Sequence, residues 1–99
     1  MRPLRVRRLA RAEIVDAFEW YLARSPQAAA GFIEAVDAAL RGIETSPELH
    51  GPIHGNLRRW LLAGYPYGVY YKVYPNIISV VGVIHGSRHP GEWLRRAGR

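Results

Sequence analysis

The 99-residue sequence contains no cysteine. That absence excludes a disulfide framework and a thiolate metal site, and leaves packing as the source of stability. No long hydrophobic run is present either: Ile77 to Ile84 is the longest, far short of the roughly 18 residues a membrane helix requires. Lysine is nearly missing. Of fourteen basic residues only Lys72 is lysine, and arginine is the side chain whose planar fork best matches phosphate or carboxylate. Acids are scarce in the second half, where residues 49–99 hold six Arg and Lys72 against Glu92 alone, whereas residues 1–48 balance seven Arg with seven acids. The whole net charge of +6 therefore sits in the second half. A surface of that kind expects a polyanion, either nucleic acid or an acidic protein.

What is present fits one folded domain spanning 1–99. The chain is 48% hydrophobic and 11% aromatic, unlike a disordered segment, and at this length it buries about two-thirds of its unfolded surface. Arg2, Arg5, Arg7, Arg8 and Arg11 give the N-terminus the charge of a targeting segment. No apolar stretch follows, and Glu13, Asp16 and Glu19 come at once, so the mature chain is expected to start at or near Met1 and to remain in the cytoplasm, away from membranes.

Pro3 to Leu9 alternates, with Leu4 and Val6 opposite Arg5 and Arg7, which predicts a short edge strand guarded by its charges. The period then changes. Ile14, Ala17, Phe18, Tyr21 and Leu22 make one apolar face of a helix over Ala10 to Arg24, with Glu13, Asp16 and Glu19 on its solvated side. Ser25-Pro26 restarts the chain as an N-cap followed by proline at the first helical position. The second helix runs to about Glu44 and carries Phe32, Val36, Ala39, Leu40 and Ile43 on one face, so the two helices form an antiparallel hairpin. Ser46 to Gly55 is a loop, and its Gly51 and Pro52 break any helix that would bring His50 and His54 together around a metal. Asn56 to Ala63, Tyr67 to Tyr74 and Ile77 to Ile84 then read as three strands separated by Gly64-Tyr-Pro66 and Pro75-Asn76. The fold class is α+β, in the order β-α-α-β-β-β. The helical hairpin is expected on one face of a mostly antiparallel four-stranded sheet, with a short helical tail.

Two places carry candidate function. In the middle strand Tyr67, Val69, Tyr71 and Val73 share the face expected to meet the helices. Tyr70, Lys72 and Tyr74 share the other, beside Arg58 or Arg59. Phenols interleaved with cations suit single-stranded nucleic acid; tyrosines filling cross-strand pairs explain them equally. The second place is the end of the last strand, where polarity inverts into His85-Gly-Ser-Arg88-His-Pro90. It reads either as a functional edge on a rigid scaffold or as a solvated strand end.

Trp20-Tyr21, Ser25-Pro26, Phe32, Arg58, Tyr65-Pro66-Tyr67, Tyr71-Lys72-Val73 and His85-Gly-Ser-Arg88-His-Pro90 with Trp93 and Arg96 together resemble the RelE/ParE superfamily of bacterial toxins from type II toxin–antitoxin systems. The resemblance spans nearly the whole chain. It implies a toxin with no cofactor or metal, held in a hetero-oligomer by an antitoxin whose acidic tail wraps it. The superfamily divides between ribosome-dependent mRNA endoribonucleases and gyrase poisons that hydrolyse nothing. RNA cleavage needs proton transfer at the 2′-hydroxyl and the leaving oxygen, and cations for the phosphorane. For that alternative His85 or Lys72 would move protons while Arg58 and Arg88 supply charge, all four converging on one sheet face and its edge. A single lysine, and a tail of Trp93, Arg95, Arg96 and Arg99 in place of a C-terminal tyrosine or histidine, depart from the endoribonuclease branch. The Tyr65-Pro66-Tyr67 strand and the His85-Gly-x-Arg88-x-Pro90 ending resemble the ParE-like branch more, for which DNA gyrase is the implied target. Arg59, Tyr70, Tyr74, Trp93, Arg95 and Arg96 are the residues expected to meet a partner. A third reading is a non-toxic module that binds nucleic acid or protein.

Overall fold

The computed structural model describes residues 2–98, and Arg99 of the basic tail lies outside them. Leu4–Val6 forms β1, Arg8–Leu22 α1, Pro26–Thr45 α2, Leu57–Leu61 β2, Tyr67–Val73 β3, Ile78–His85 β4 and Gly91–Ala97 α3. The element order is the expected one. The first helix starts at Arg8, two residues before Ala10, and leaves β1 only three residues long.

The sheet order is β1-β4-β3-β2. The β2–β3 and β3–β4 pairs are antiparallel, while β1 lies parallel to β4 with Leu4 opposite Ile78 and Val6 opposite Val80, so the sheet is mixed. Ser25 caps α2 as expected: its Oγ accepts the Ala28 N–H at 3.1 Å, and Pro26 supplies the first helical residue. The hairpin covers one sheet face. Ala10 and Ala17 of α1 and Phe32, Val36, Ala39 and Ile43 of α2 are buried against Val69, Tyr71, Ile78, Val80 and Val83. Leu22, expected on the inner stripe, is 46% exposed. It is the last residue of α1, and Tyr21 fills the inward position, its ring 5.4 Å from Phe32 and 5.2 Å from Tyr65.

The long apolar run of β4 has a specific cause. Tyr70 opposes Gly82 but Tyr71 opposes Val80, so Val81 is an extra residue that shifts the phase of the strand. Before it Ile78 and Val80 face the helices; after it Val83 does, while Ile84 turns to the opposite face. That opposite face is covered too. Helix α3 lies on it and buries Leu57, Tyr70 and Ile84 beneath Trp93 and Ala97. A strand covered on both sides has no polar side, and alternation disappears from its sequence.

Candidate functional site

The burial of the second face corrects the picture of an open platform. Tyr70 is 4% and Lys72 3% exposed. The Tyr70 ring is stacked on Trp93 at 6.2 Å, and the Lys72 Nζ donates to the Ala97 carbonyl at 2.9 Å, the C-terminal end of α3, where a cation is favoured. Of Tyr70, Lys72 and Tyr74 only Tyr74, just past the end of β3, is half-exposed; among the other residues expected to meet a partner Arg59 and Trp93 are half-buried and Arg95 is exposed.

Arg96, expected on a binding surface, is buried as well. Its guanidinium forks onto Glu13 of α1, at 3.1 Å and 2.9 Å, and also donates to the Val81 carbonyl at 2.7 Å. The other Glu13 contact is the Val83 N–H, 2.9 Å from Oε1. The ladder from β1 ends at the bond from Arg7 N–H to the Val80 carbonyl, so beyond it the outer edge of β4 has no neighbouring strand. Glu13 and Arg96 together take over its donor and its acceptor, which buried backbone requires. Gly82 makes this possible, because a Cβ there would stand 2.8 Å from the Arg96 Nη1. Glu13, expected on the solvated side of its helix, is instead half-buried against the strand edge. The usable signal was its spacing: it lies three residues after Ala10 and four before Ala17, both buried, and so belongs to their face.

The four residues put forward for RNA cleavage do not converge. Arg58 opposes Tyr71 and His85 opposes Tyr67, four positions apart on β3 and about 13 Å along the strand. Arg58 is engaged at its own end, its Nη1 donating to the His50 carbonyl at 2.6 Å. Lys72 lies on the opposite face under α3. Only His85 and Arg88 share a site.

That site is a cleft of about 570 Å³ between the C-terminal half of α1 and the end of β4. Asp16, Trp20 and Tyr21 line one wall; Tyr67, His85 and Arg88 line the other. The His85 ring packs edge-on against Tyr67 at 5.0 Å. A tight turn holds it, with Gly86 N–H on the Pro66 carbonyl at 2.7 Å and Arg88 N–H on the His85 carbonyl at 3.0 Å. His85 Nδ1 accepts the Ser87 N–H at 2.9 Å and contacts the Ser87 Oγ at 2.8 Å. A backbone N–H can only donate, so in the neutral ring the proton resides on Nε2. The lone pair a general base would use is committed to the turn. Burial raises the Tyr67 hydroxyl above its ordinary range, partly offset by Arg88, and burial with Tyr67 and Tyr65 nearby raises Tyr21. Both phenols are neutral at physiological pH. The cleft offers ring faces, hydrogen-bond donors and, besides the ion-paired Glu13 and Glu92, the opposite charges of Asp16 and Arg88, but no poised proton acceptor among these rings.

The family model described as "ParE toxin of type II toxin-antitoxin system, parDE" matches residues 4–90. Among solved structures, a chain from the "Chromosomal ParDE TA system from P. aeruginosa" is similar at 16% identity with a TM-score of 0.74, covering 86% of this chain and 96% of that one; at that identity the likeness shows the fold. Among curated proteins no sequence is similar enough to count as a relative.

Proposed function

The chain belongs to the ParE toxin family of type II toxin–antitoxin systems, and from that premise we propose that it arrests growth in the cytoplasm by binding DNA gyrase, with no nucleolytic step of its own, and that a cognate antitoxin neutralises it. What supports binding over cleavage is the scatter of the cleavage candidates: His85 is tied to its turn, Lys72 lies beneath α3, and Arg58 is held at the far end of the sheet. A second groove, of about 790 Å³, supports the antitoxin half of the proposal. Arg7 and Arg8 flank Leu9, Ala12 and Val81 there, and neither arginine has a carboxylate partner among the described residues. An apolar floor with a cationic rim suits an amphipathic acidic segment. Induced expression is expected to stop growth and raise DNA-damage signalling while messages stay intact, and co-expression of the antitoxin to restore growth. Messages cut at the ribosomal A site, with no DNA damage, would reverse the reading.

A further inference from the structure

We infer that the cleft between α1 and the end of β4 is a docking site for a basic side chain, an arginine in particular, presented by a polypeptide partner. Asp16 is exposed and has no hydrogen bond or ion pair among the described residues. The other acids at this cleft are already engaged, Glu13 by Arg96 and Glu92 by Arg95 at 2.9 Å, so Asp16 is the carboxylate left for a ligand. One helical turn further on stands Trp20, 51% exposed, and residues four apart on a helix share a face. A carboxylate beside an open indole is the pair of groups a guanidinium satisfies at once, by a forked hydrogen bond and by stacking. One face of that ring is already covered by the chain's own Arg24, whose guanidinium carbon lies 3.8 Å from the Trp20 ring centroid, so an incoming guanidinium has the other face to stack on.

The alternatives fit less well. A phosphate would meet Arg88 but also Asp16, and the nearest rings other than Trp20 are packed edge-on against one another, Tyr67 against His85 at 5.0 Å, which leaves little room to stack a base. A purely apolar helix would bury Asp16 without a partner, at a cost. Arg88 on the far wall sets the polarity: the base enters toward Asp16, and a carbonyl or acid of the same segment meets Arg88. The site is distinct from the cationic groove at Arg7 and Arg8 and accepts the opposite charge. The inference rests on the protein-binding reading above only for the source of the base, because the preference itself belongs to the isolated chain.

The test uses the full chain, labelled with ¹⁵N and titrated with N-acetyl-arginine amide, N-acetyl-glutamate amide, N-acetyl-norleucine amide and a short single-stranded oligonucleotide. The arginine probe is expected to move the Trp20 indole N–H and the amides of Gly86 and Tyr67, with the other probes having little effect there. Asp16→Asn is expected to weaken the arginine response by roughly fivefold, and Asp37→Asn on the exposed side of α2 to leave it unchanged. Because Asp16 is exposed, the variant should retain the wild-type spectrum elsewhere; Trp20→Leu provides a second, independent loss. Equal responses to glutamate or oligonucleotide, an arginine response unaltered in Asp16→Asn, or none at all, would each overturn the inference. Gyrase and antitoxin are absent from the tube, so none of these outcomes bears on the toxin reading.

Discussion

At the scale of single residues, the Glu13–Arg96 pair is the feature with the largest expected consequence. A buried ion pair adds little over an apolar replacement, yet removing one partner leaves the other desolvated and unpaired. Arg96→Ala would leave Glu13 without its counter-charge, held by the Val83 N–H alone, and the Val81 carbonyl without its donor, and is expected to cost about 3 kcal/mol. Glu13→Gln keeps an acceptor for the Val83 N–H but leaves the more deeply buried Arg96 without a counter-charge, and should also cost about 3 kcal/mol. Urea midpoints decide it: a loss for Arg96→Ala below about 0.5 kcal/mol would mean the pair is not closing the strand edge. Tyr71 makes a prediction in pH. Its ring is fully buried, its hydroxyl donates to the Pro47 carbonyl at 2.9 Å, and burial raises its pKa above the ordinary 10.0, with Arg58 opposing. The folded state therefore holds this proton more tightly than the unfolded one. Stability from this group is fully present below pH 10.0 and is lost as pH rises through the raised value. Tyr71→Phe should cost about 1 kcal/mol at neutral pH and make the alkaline decline in stability shallower; a decline as steep as wild type would assign it to other groups.

At the scale of elements, close approach decides between opposing effects. Gly42 sits inside α2, where alanine is favoured by about 1 kcal/mol. A Cβ there would stand 2.5 Å from the Trp60 Cζ2, and forcing that ring aside costs typically 1–3 kcal/mol, so roughly that range is the penalty to set against propensity. Gly42→Ala is expected to be net destabilising, with a changed Trp60 environment in fluorescence; a higher melting temperature would show that the ring moves freely. The helices, the N-cap at Ser25 and the three antiparallel-paired strands were legible because each is written locally, in period and capping or, for β4, in an apolar run bounded by turns. The parallel pairing of β1 with β4 was not, since no turn joins them: Arg7 Nε reaches Ser79 Oγ across 72 positions at 2.8 Å. Nor was the bulge at Val81, whose effect on the sequence is simply to hide the alternation. The role of the tail was missed for a related reason. Trp93 and Arg96 look like surface residues until Tyr70 and Glu13, far away in the chain, are seen beneath and beside them. For the cleft, His85 and Arg88 were visible as a polarity switch after an apolar strand, whereas Asp16 and Trp20 looked like an ordinary helix exterior.

At the scale of the whole molecule, charge is partitioned by folding in a way the linear halves conceal. The arginines that open the chain, Arg7 and Arg8, come to lie beside Tyr74 and Ser79 of the strand half, while Arg96 at the same groove is neutralised by Glu13, so the groove's unpaired charge among the described residues comes from the N-terminal strand and helix start. Association with an acidic antitoxin segment is expected to weaken on the order of tenfold from low to physiological salt, and the double substitution Arg7→Ala with Arg8→Ala to flatten that dependence. A salt-independent dissociation constant would assign the affinity to apolar contact alone. The most direct measurement of how this molecule acts is an in vitro pair run on one preparation: gyrase-catalysed supercoiling, and message cleavage on programmed ribosomes. Supercoiling blocked in proportion to added protein, in wild type and in His85→Ala alike, with message left whole, is the expected result. Unimpeded supercoiling together with A-site cuts that vanish in His85→Ala would contradict a binding mechanism outright.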